Sequence, residues 1–325
     1  MCSAVDALFA GSFKEKMERY RKQTLIVILE SPRRDIPKKW TAATQEAYLK
    51  SIDNYNRSIR QVVDSFWVFN QKVEYKTWAE VEPLIRNHSE DYLLLYSGNF
   101  PNNQAYFEKM ERKGLNFFPD LYKINEKRDY FEYFTGFCLD RCSKFGSSEH
   151  LAQRTIANLW PLKEDIAFAV QFMQLSLMQS LEHGYELSTL DLAKFSKGSL
   201  FHSVLMIKSD LLYQSGLQPE DVKSFYADSF EVVSYNTLVN SIFSKSNICY
   251  IEITPAIVST GEAYRLTYEH FVMNAATGEL VAYVPANRGI LHATQGIGNY
   301  HKFLSAGIFA DYVGVSGRAV VPIKE

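Results

Sequence analysis

Short apolar segments alternate with helical stretches along this chain, and their order restricts the fold more than any other sequence feature. Residues 25–30 (LIVILE) are rich in β-branched side chains, which is typical of a strand covered on both faces. Apolar residues at steps of three and four predict a helix over residues 44–66. Residues 73–75 and 92–96 (YLLLY) predict two more strands with a short helix between them. The first half is therefore predicted to run strand, helix, strand, helix, strand.

The second half repeats this order. Residues 203–208 (SVLMIK), 230–233 and 248–253 (ICYIEI) predict three strands. Pro219, in a first helical turn, and Ser234, as a helix cap, predict helices between those strands. The same elements in the same order indicate two related units.

The two halves also align directly, which indicates an internal duplication. Several identities fall at one offset of 159 positions, and small gaps then bring Leu84 and Ile85 near Ser241 and Ile242. The identical pairs are Val63 with Val222, Ser65 with Ser224, Phe66 with Phe225, and Val73 with Val232.

We expect an α/β fold of two similar βαβαβ units, each a small mixed sheet with flanking helices and an added antiparallel strand or hairpin. Alternating residues predict the hairpin at 264–284, and residues 130–139 predict the corresponding strand of the first unit. The predicted organisation is a first unit at 1–150, a connecting helical segment at 151–200, and a second unit with a C-terminal extension at 201–325.

The longest uncharged apolar run, residues 166–181, is shorter than the ~20 residues of a membrane-spanning helix. It also contains three glutamines. We therefore expect a protein-buried helix over residues 161–183, ending at Gly184, and no membrane span.

Composition and motifs argue against several functions. The net charge of -2 provides no field for nucleic acid. The 4 cysteines are too few for a disulfide framework, and the 7 histidines have no metal-binding spacing, so no metal is expected. The loops at 195–199 (FSKGS) and 289–298 (GILHATQGIG) lack the phosphate-binding patterns, so no cofactor is expected.

No catalytic signature is present in the sequence. The acidic pairs Glu80/Glu82 and Glu220/Asp221 fall at predicted helix starts, where they interact with the helix dipole. His270 is on the apolar face of its predicted strand, which favours a hydrogen-bonded core histidine over a ligand or base.

Topology nevertheless predicts where a ligand would bind. In parallel α/β sheets, ligands bind beyond the carboxyl ends of the strands. Paired guanidinium groups there suit a carboxylate or phosphate, and a solvated loop is the alternative interpretation. The candidate ligand-binding residues are Arg33, Arg34, Ser97, Asn99, Ser209 and Asp210.

The segments KQTLIVILE, opening one unit, and VMNAATGELVAYV, closing the other, resemble those of uncharacterised duplicated α/β envelope proteins of Bacteroidota. This resemblance implies an extracytoplasmic or periplasmic location. Cys2 directly after Met1 suits a lipid anchor, and a native cytoplasmic start is the alternative. We expect a non-catalytic cell-envelope protein that binds an unknown protein or a small anionic ligand. The alternative is a hydrolase-type enzyme with a site in the cleft between the units.

Overall fold

The computed structural model describes residues 4–32, 41–98, 135–145, 150–156, 158, 161–195, 199–260, 263–286 and 303–315. The chain divides into two compact units, Met1–Glu186 and Leu187–Glu325. The boundary between the units therefore falls within the segment predicted to connect them.

The described residues of the first unit form four helices and five strands. Three of its strands follow the predicted order, and a hairpin-like pair of strands and a long helix come after them. The elements are α1 (Ala4–Lys22), β1 (Thr24–Leu29), α2 (Ala42–Phe66), β2 (Val73–Thr77), α3 (Trp78–Arg86), β3 (Tyr92–Gly98), β4 (Gly136–Arg141), β5 (Ala152–Thr155) and α4 (Lys163–His183). A single 3-10 turn, Cys142–Lys144, follows β4.

The described residues of the second unit also form five strands, with helices around them. The elements are α5 (Thr189–Phe195), β6 (Val204–Lys208), α6 (Ser209–Gln214), α7 (Pro219–Phe225), β7 (Phe230–Val233), α8 (Tyr235–Phe243), β8 (Ile248–Thr260), β9 (Ala263–Asn274), β10 (Leu280–Val284) and α9 (Ala306–Val315). A 3-10 turn, Ser199–His202, precedes β6.

The two sheets have the same topology. Their strand orders are β2-β1-β3-β4-β5 and, read from the corresponding edge, β7-β6-β8-β9-β10. In each sheet the first three strands in spatial order are parallel, and the last two pair antiparallel. The predicted α/β fold with two similar units is confirmed, including the parallel pairing of the LIVILE and YLLLY strands. Helices α1 and α9 were not predicted from the sequence.

The sheet registers correct one part of the sequence alignment. Leu25 of β1 pairs with Val73, and Leu205 of β6 pairs with Phe230, so Val73 corresponds to Phe230 and not to Val232. The alignment of α3 with α8 is correct. Val81 and Leu238 are both buried, and each lies one helical turn after the first residue of its helix. The true offset in this region is therefore 157, two positions shorter than the sequence identities indicate.

Both faces of the first sheet are covered, as the apolar β1 sequence predicts. Ile26 and Ile28 pack with Val81 of α3 on one face. On the other face the ring of Phe137 stacks on Tyr55 of α2 at 6.5 Å between centroids. The sheet thus lies between α3 and the longer helices, which position the edge discussed below.

Helix α4 is buried in protein, as predicted. Ile166, Val170 and Met173 have no exposed surface, and Gly184 ends the helix with a left-handed φ of 81°. Its contacts include α1, α2 and β5 of the same unit. Among the described residues, no helix is long and apolar enough to cross a membrane.

Candidate functional site

The carboxyl ends of β1 and β3 meet at one edge of the first sheet because these strands are parallel and adjacent. Glu30 follows β1, and Ser97 is the second-last residue of β3. The side chain of Asn56, from α2, accepts from the Glu30 backbone N–H and donates to the Glu30 carbonyl, both at 2.9 Å. This double hydrogen bond fixes the chain where it leaves β1.

Tyr55, next to Asn56, places a phenol at the same edge. Its side chain is 4% exposed, and its hydroxyl makes no hydrogen bond of ordinary geometry to the described residues. Burial, followed by the negative charge of Glu30, raises the pKa of Tyr55 well above its ordinary value. Weak hydrogen bonding from the backbone and side chain of Ser97, outside ordinary geometry, lowers that pKa by a smaller amount. Tyr55 is therefore a neutral, buried hydrogen-bond donor beside Ser97.

This edge includes one of the predicted ligand-binding residues of the first unit, Ser97. The other three, Arg33, Arg34 and Asn99, lie outside the described residues. Tyr55 was not predicted, because its position in the apolar stripe of α2 indicated only a core side chain.

The two remaining predicted site residues belong to the second unit. Ser209 and Asp210 begin α6 directly after β6, and the Ser209 hydroxyl donates to Asp210 at 3.3 Å. Thr254, in β8 of the same unit, is fully buried. Ser97 and the Ser209–Asp210 pair thus lie in different units.

A second polar cluster in the first unit was missed from the sequence. Asp140 of β4 is 2% exposed and accepts from the Tyr96 hydroxyl at 2.7 Å. Its other carboxylate oxygen lies 2.7 Å from Nδ1 of His150. The alternating segment FCLD at 137–140 places Cys138 and Asp140 on one face of β4, and that alternation was the available signal.

Cys138 lies directly opposite Tyr96 in the β3–β4 ladder. Burial, and then the negative charge of Asp140, raises the pKa of the Cys138 thiol to about 12, although a hydrogen bond with Tyr96 opposes this. The thiol is therefore protonated near neutral pH and is not an activated nucleophile.

Several residues considered from the sequence have structural roles. The carboxylate of Glu80 accepts from the backbone N–H of Thr77 at 2.7 Å, and that of Asp221 accepts from the N–H of Gln218 at 2.7 Å. His270 is buried and hydrogen-bonds Tyr312 at 2.6 Å, as expected for a core histidine. These contacts account for the acids and this histidine without catalysis.

Within the described ranges, Cys138, Cys142 and Cys249 are free and buried. No group of three or more His, Cys, Asp or Glu residues there could hold a metal ion. The glycine-bearing segments considered for phosphate binding fall largely at 196–198 and 287–302, outside the described residues.

Comparisons with known proteins add no assignment: no family model matches the chain, and no curated protein or solved structure is detectably similar to it.

Proposed function

We propose that this protein is a binding protein whose first unit holds a small anionic ligand at the carboxyl edge of its sheet. The observation that carries the proposal is the buried Tyr55 hydroxyl, which has no hydrogen-bond partner of ordinary geometry in the described structure. Leaving a buried hydroxyl without a partner costs about 1–3 kcal/mol. A ligand that accepts this hydrogen bond would remove that cost.

The chemistry of this edge suits a ligand that carries both an anionic group and hydroxyl groups. Ser97 can donate and accept beside Tyr55, and Glu30 supplies a carboxylate close enough to affect the Tyr55 pKa. Arg33 and Arg34 follow Glu30 by three and four residues in the sequence. Paired guanidinium groups favour carboxylate or phosphate through bidentate hydrogen bonds, so we assign the anionic group to them.

Isothermal titration calorimetry with inorganic phosphate and with glycerol 3-phosphate tests this proposal. We expect both probes to bind, and glycerol 3-phosphate to bind more tightly because its hydroxyls can hydrogen-bond Ser97, beside Tyr55. Changing Arg33 and Arg34 together to Ala should weaken both probes at least about tenfold, the effect of losing ~1.4 kcal/mol. Ser97→Ala should weaken glycerol 3-phosphate more than phosphate.

Arg86→Ala is the matched control, because Arg86 is an exposed arginine of the same unit that pairs with Glu82 on α3. This variant should bind both probes like the wild type. Equal affinities for the wild type and the Arg33/Arg34 double variant, or no binding of either probe, would contradict the proposal.

We also propose an extracytoplasmic, lipid-anchored location, which rests on the sequence resemblance. Palmitate labelling of the product expressed from its native gene should be lost in Cys2→Ser. Labelling that persists in Cys2→Ser, or its absence from the wild type, would favour the cytoplasmic alternative.

A further inference from the structure

The cluster of Tyr96, Asp140 and His150 has the geometry of an oriented general base. The buried carboxylate of Asp140 accepts from Nδ1 of His150 at 2.7 Å and from the Tyr96 hydroxyl at 2.7 Å. An ionised carboxylate only accepts hydrogen bonds, so the proton of a neutral His150 ring lies on Nδ1. The lone pair of the ring is then on Nε2, the atom that would react.

Nε2 of His150 is also available to a substrate. It makes no hydrogen bond to any residue in the described part of the chain, and the His150 side chain is 22% exposed while that of Asp140 is 3% exposed. A buried carboxylate that orients a partly exposed imidazole is the arrangement that general-base histidines require.

An aromatic surface adjoins this pair. The rings of Trp78, Tyr96 and Phe145 lie 5.4–5.5 Å apart between centroids, and all three side chains are half-buried. Tyr96 belongs both to this surface and to the hydrogen-bonded chain, so the apolar surface begins beside Asp140. Apolar walls with a few placed polar groups are typical of small-molecule sites.

We propose that His150 is a catalytic general base for the hydrolysis of small esters with an apolar acyl group, and that Asp140 is its positioning residue. Nε2 takes a proton from water as the water oxygen bonds to the ester carbonyl carbon. The carbon–oxygen bond to the alcohol then breaks, and Nε2 returns the proton to the departing alkoxide. Products are one carboxylic acid and one alcohol, and no oxidant or reductant is consumed.

This proposal goes beyond ligand binding at the Tyr55 edge and uses none of its residues. It also places the hydrolytic site within the first unit, whereas the sequence alternative placed it between the units. The thiol of Cys138 stays protonated near neutral pH and takes no part in the step.

Hydrolysis of p-nitrophenyl butyrate, followed by p-nitrophenolate release, tests the proposal on the full chain. His150→Gln should abolish protein-dependent hydrolysis. Asp140→Asn should lower kcat on the order of 10²-fold with little change in KM, because the Asn amide donates to Nδ1 and moves the ring proton to Nε2. Trp78→Ala should raise KM with a smaller change in kcat, since it removes part of the acyl-binding surface.

His183→Gln is the matched control and should leave hydrolysis unchanged, because His183 ends α4 away from this cluster in sequence and is exposed. Diethyl pyrocarbonate labelling, quantified by mass spectrometry, is a second measurement that needs no variant to fold. His150 should be labelled faster than the exposed His183 and His202. Hydrolysis by the wild type no faster than by His150→Gln, or labelling of His150 no faster than of those two histidines, would overturn the proposal.

Discussion

His88 and Lys245 occupy the same position in the two units, each with a left-handed backbone that ends a nine-residue helix. Their φ angles are 48° and 51°, and among described residues they are the non-glycine positions with positive φ. The N–H of His88 donates to the carbonyl of Ile85, and that of Ser89 donates to the carbonyl of Leu84. In the second unit, the N–H of Lys245 donates to the carbonyl of Ile242, and that of Ser246 donates to the carbonyl of Ser241. The same helix-ending motif thus recurs in both units, in support of the duplication.

Lys245→Gly should therefore stabilise the protein by about 0.5–1 kcal/mol. A left-handed conformation costs an L-residue roughly 1–2 kcal/mol, and the greater flexibility of glycine in the unfolded chain offsets part of the gain. Urea denaturation measures the difference. Lys245→Ala keeps the backbone strain and should show no gain, and a gain as large as that of glycine would show that strain is not the cause. His88→Gly also removes the contact of His88 Nδ1 with the Ser143 carbonyl at 3.4 Å, which offsets part of its gain.

Met173→Asp should destabilise the first unit by on the order of 3–5 kcal/mol, because it leaves an unpaired charge in a fully buried site. Met178→Asp on the same helix is the control, since Met178 is 43% exposed and its replacement keeps the charge in water. Thermal and urea unfolding should separate the two variants clearly. Similar losses for both would show that α4 is not buried as described.

Tyr55→Phe and Tyr96→Phe should change stability in opposite directions. The Tyr55 hydroxyl is buried without a partner of ordinary geometry, so its removal should stabilise the ligand-free protein by about 1 kcal/mol. The Tyr96 hydroxyl donates to buried Asp140, so its removal should cost about 1–3 kcal/mol. Chemical denaturation in a buffer without phosphate checks both. A loss of stability in Tyr55→Phe would indicate a hydrogen bond that the described structure does not show.

The carboxyl of Asp191, in the first turn of α5, should make the folding stability depend on pH in the acid range. Hydrogen bonds from Lys194 and then from Ser188 lower its pKa to about 2, from an ordinary value of 3.8. Because folding lowers the pKa of Asp191, its ionised carboxylate contributes to the stability of the folded protein. This contribution is fully present above pH 3.8 and is lost as the pH falls towards 2. NMR titration of the carboxyl should show this, and Lys194→Ala should move the pKa upwards. An unchanged pKa in that variant would rule out Lys194 as the main cause.

The sequence by itself determined the elements whose signals are local. Residues 230–233 form β7 with the predicted bounds, and the helix predicted over 44–66 is α2, Ala42–Phe66. Backbone preference and the spacing of apolar side chains act within a few residues, so they can be read from the chain directly. The duplication was also readable, since two copies of one order of elements leave two similar patterns.

Register and the polar clusters were decided only by tertiary structure. The identity of Val73 and Val232 misled the alignment by two positions, because a shift of two keeps the same strand face and leaves the apolar pattern unchanged. Tyr55 interacts with Ser97, which is 42 positions away in the sequence, and Asp140 hydrogen-bonds Tyr96, which is 44 positions away. Contacts of such separation depend on how strands pair and helices pack, and no local propensity encodes them.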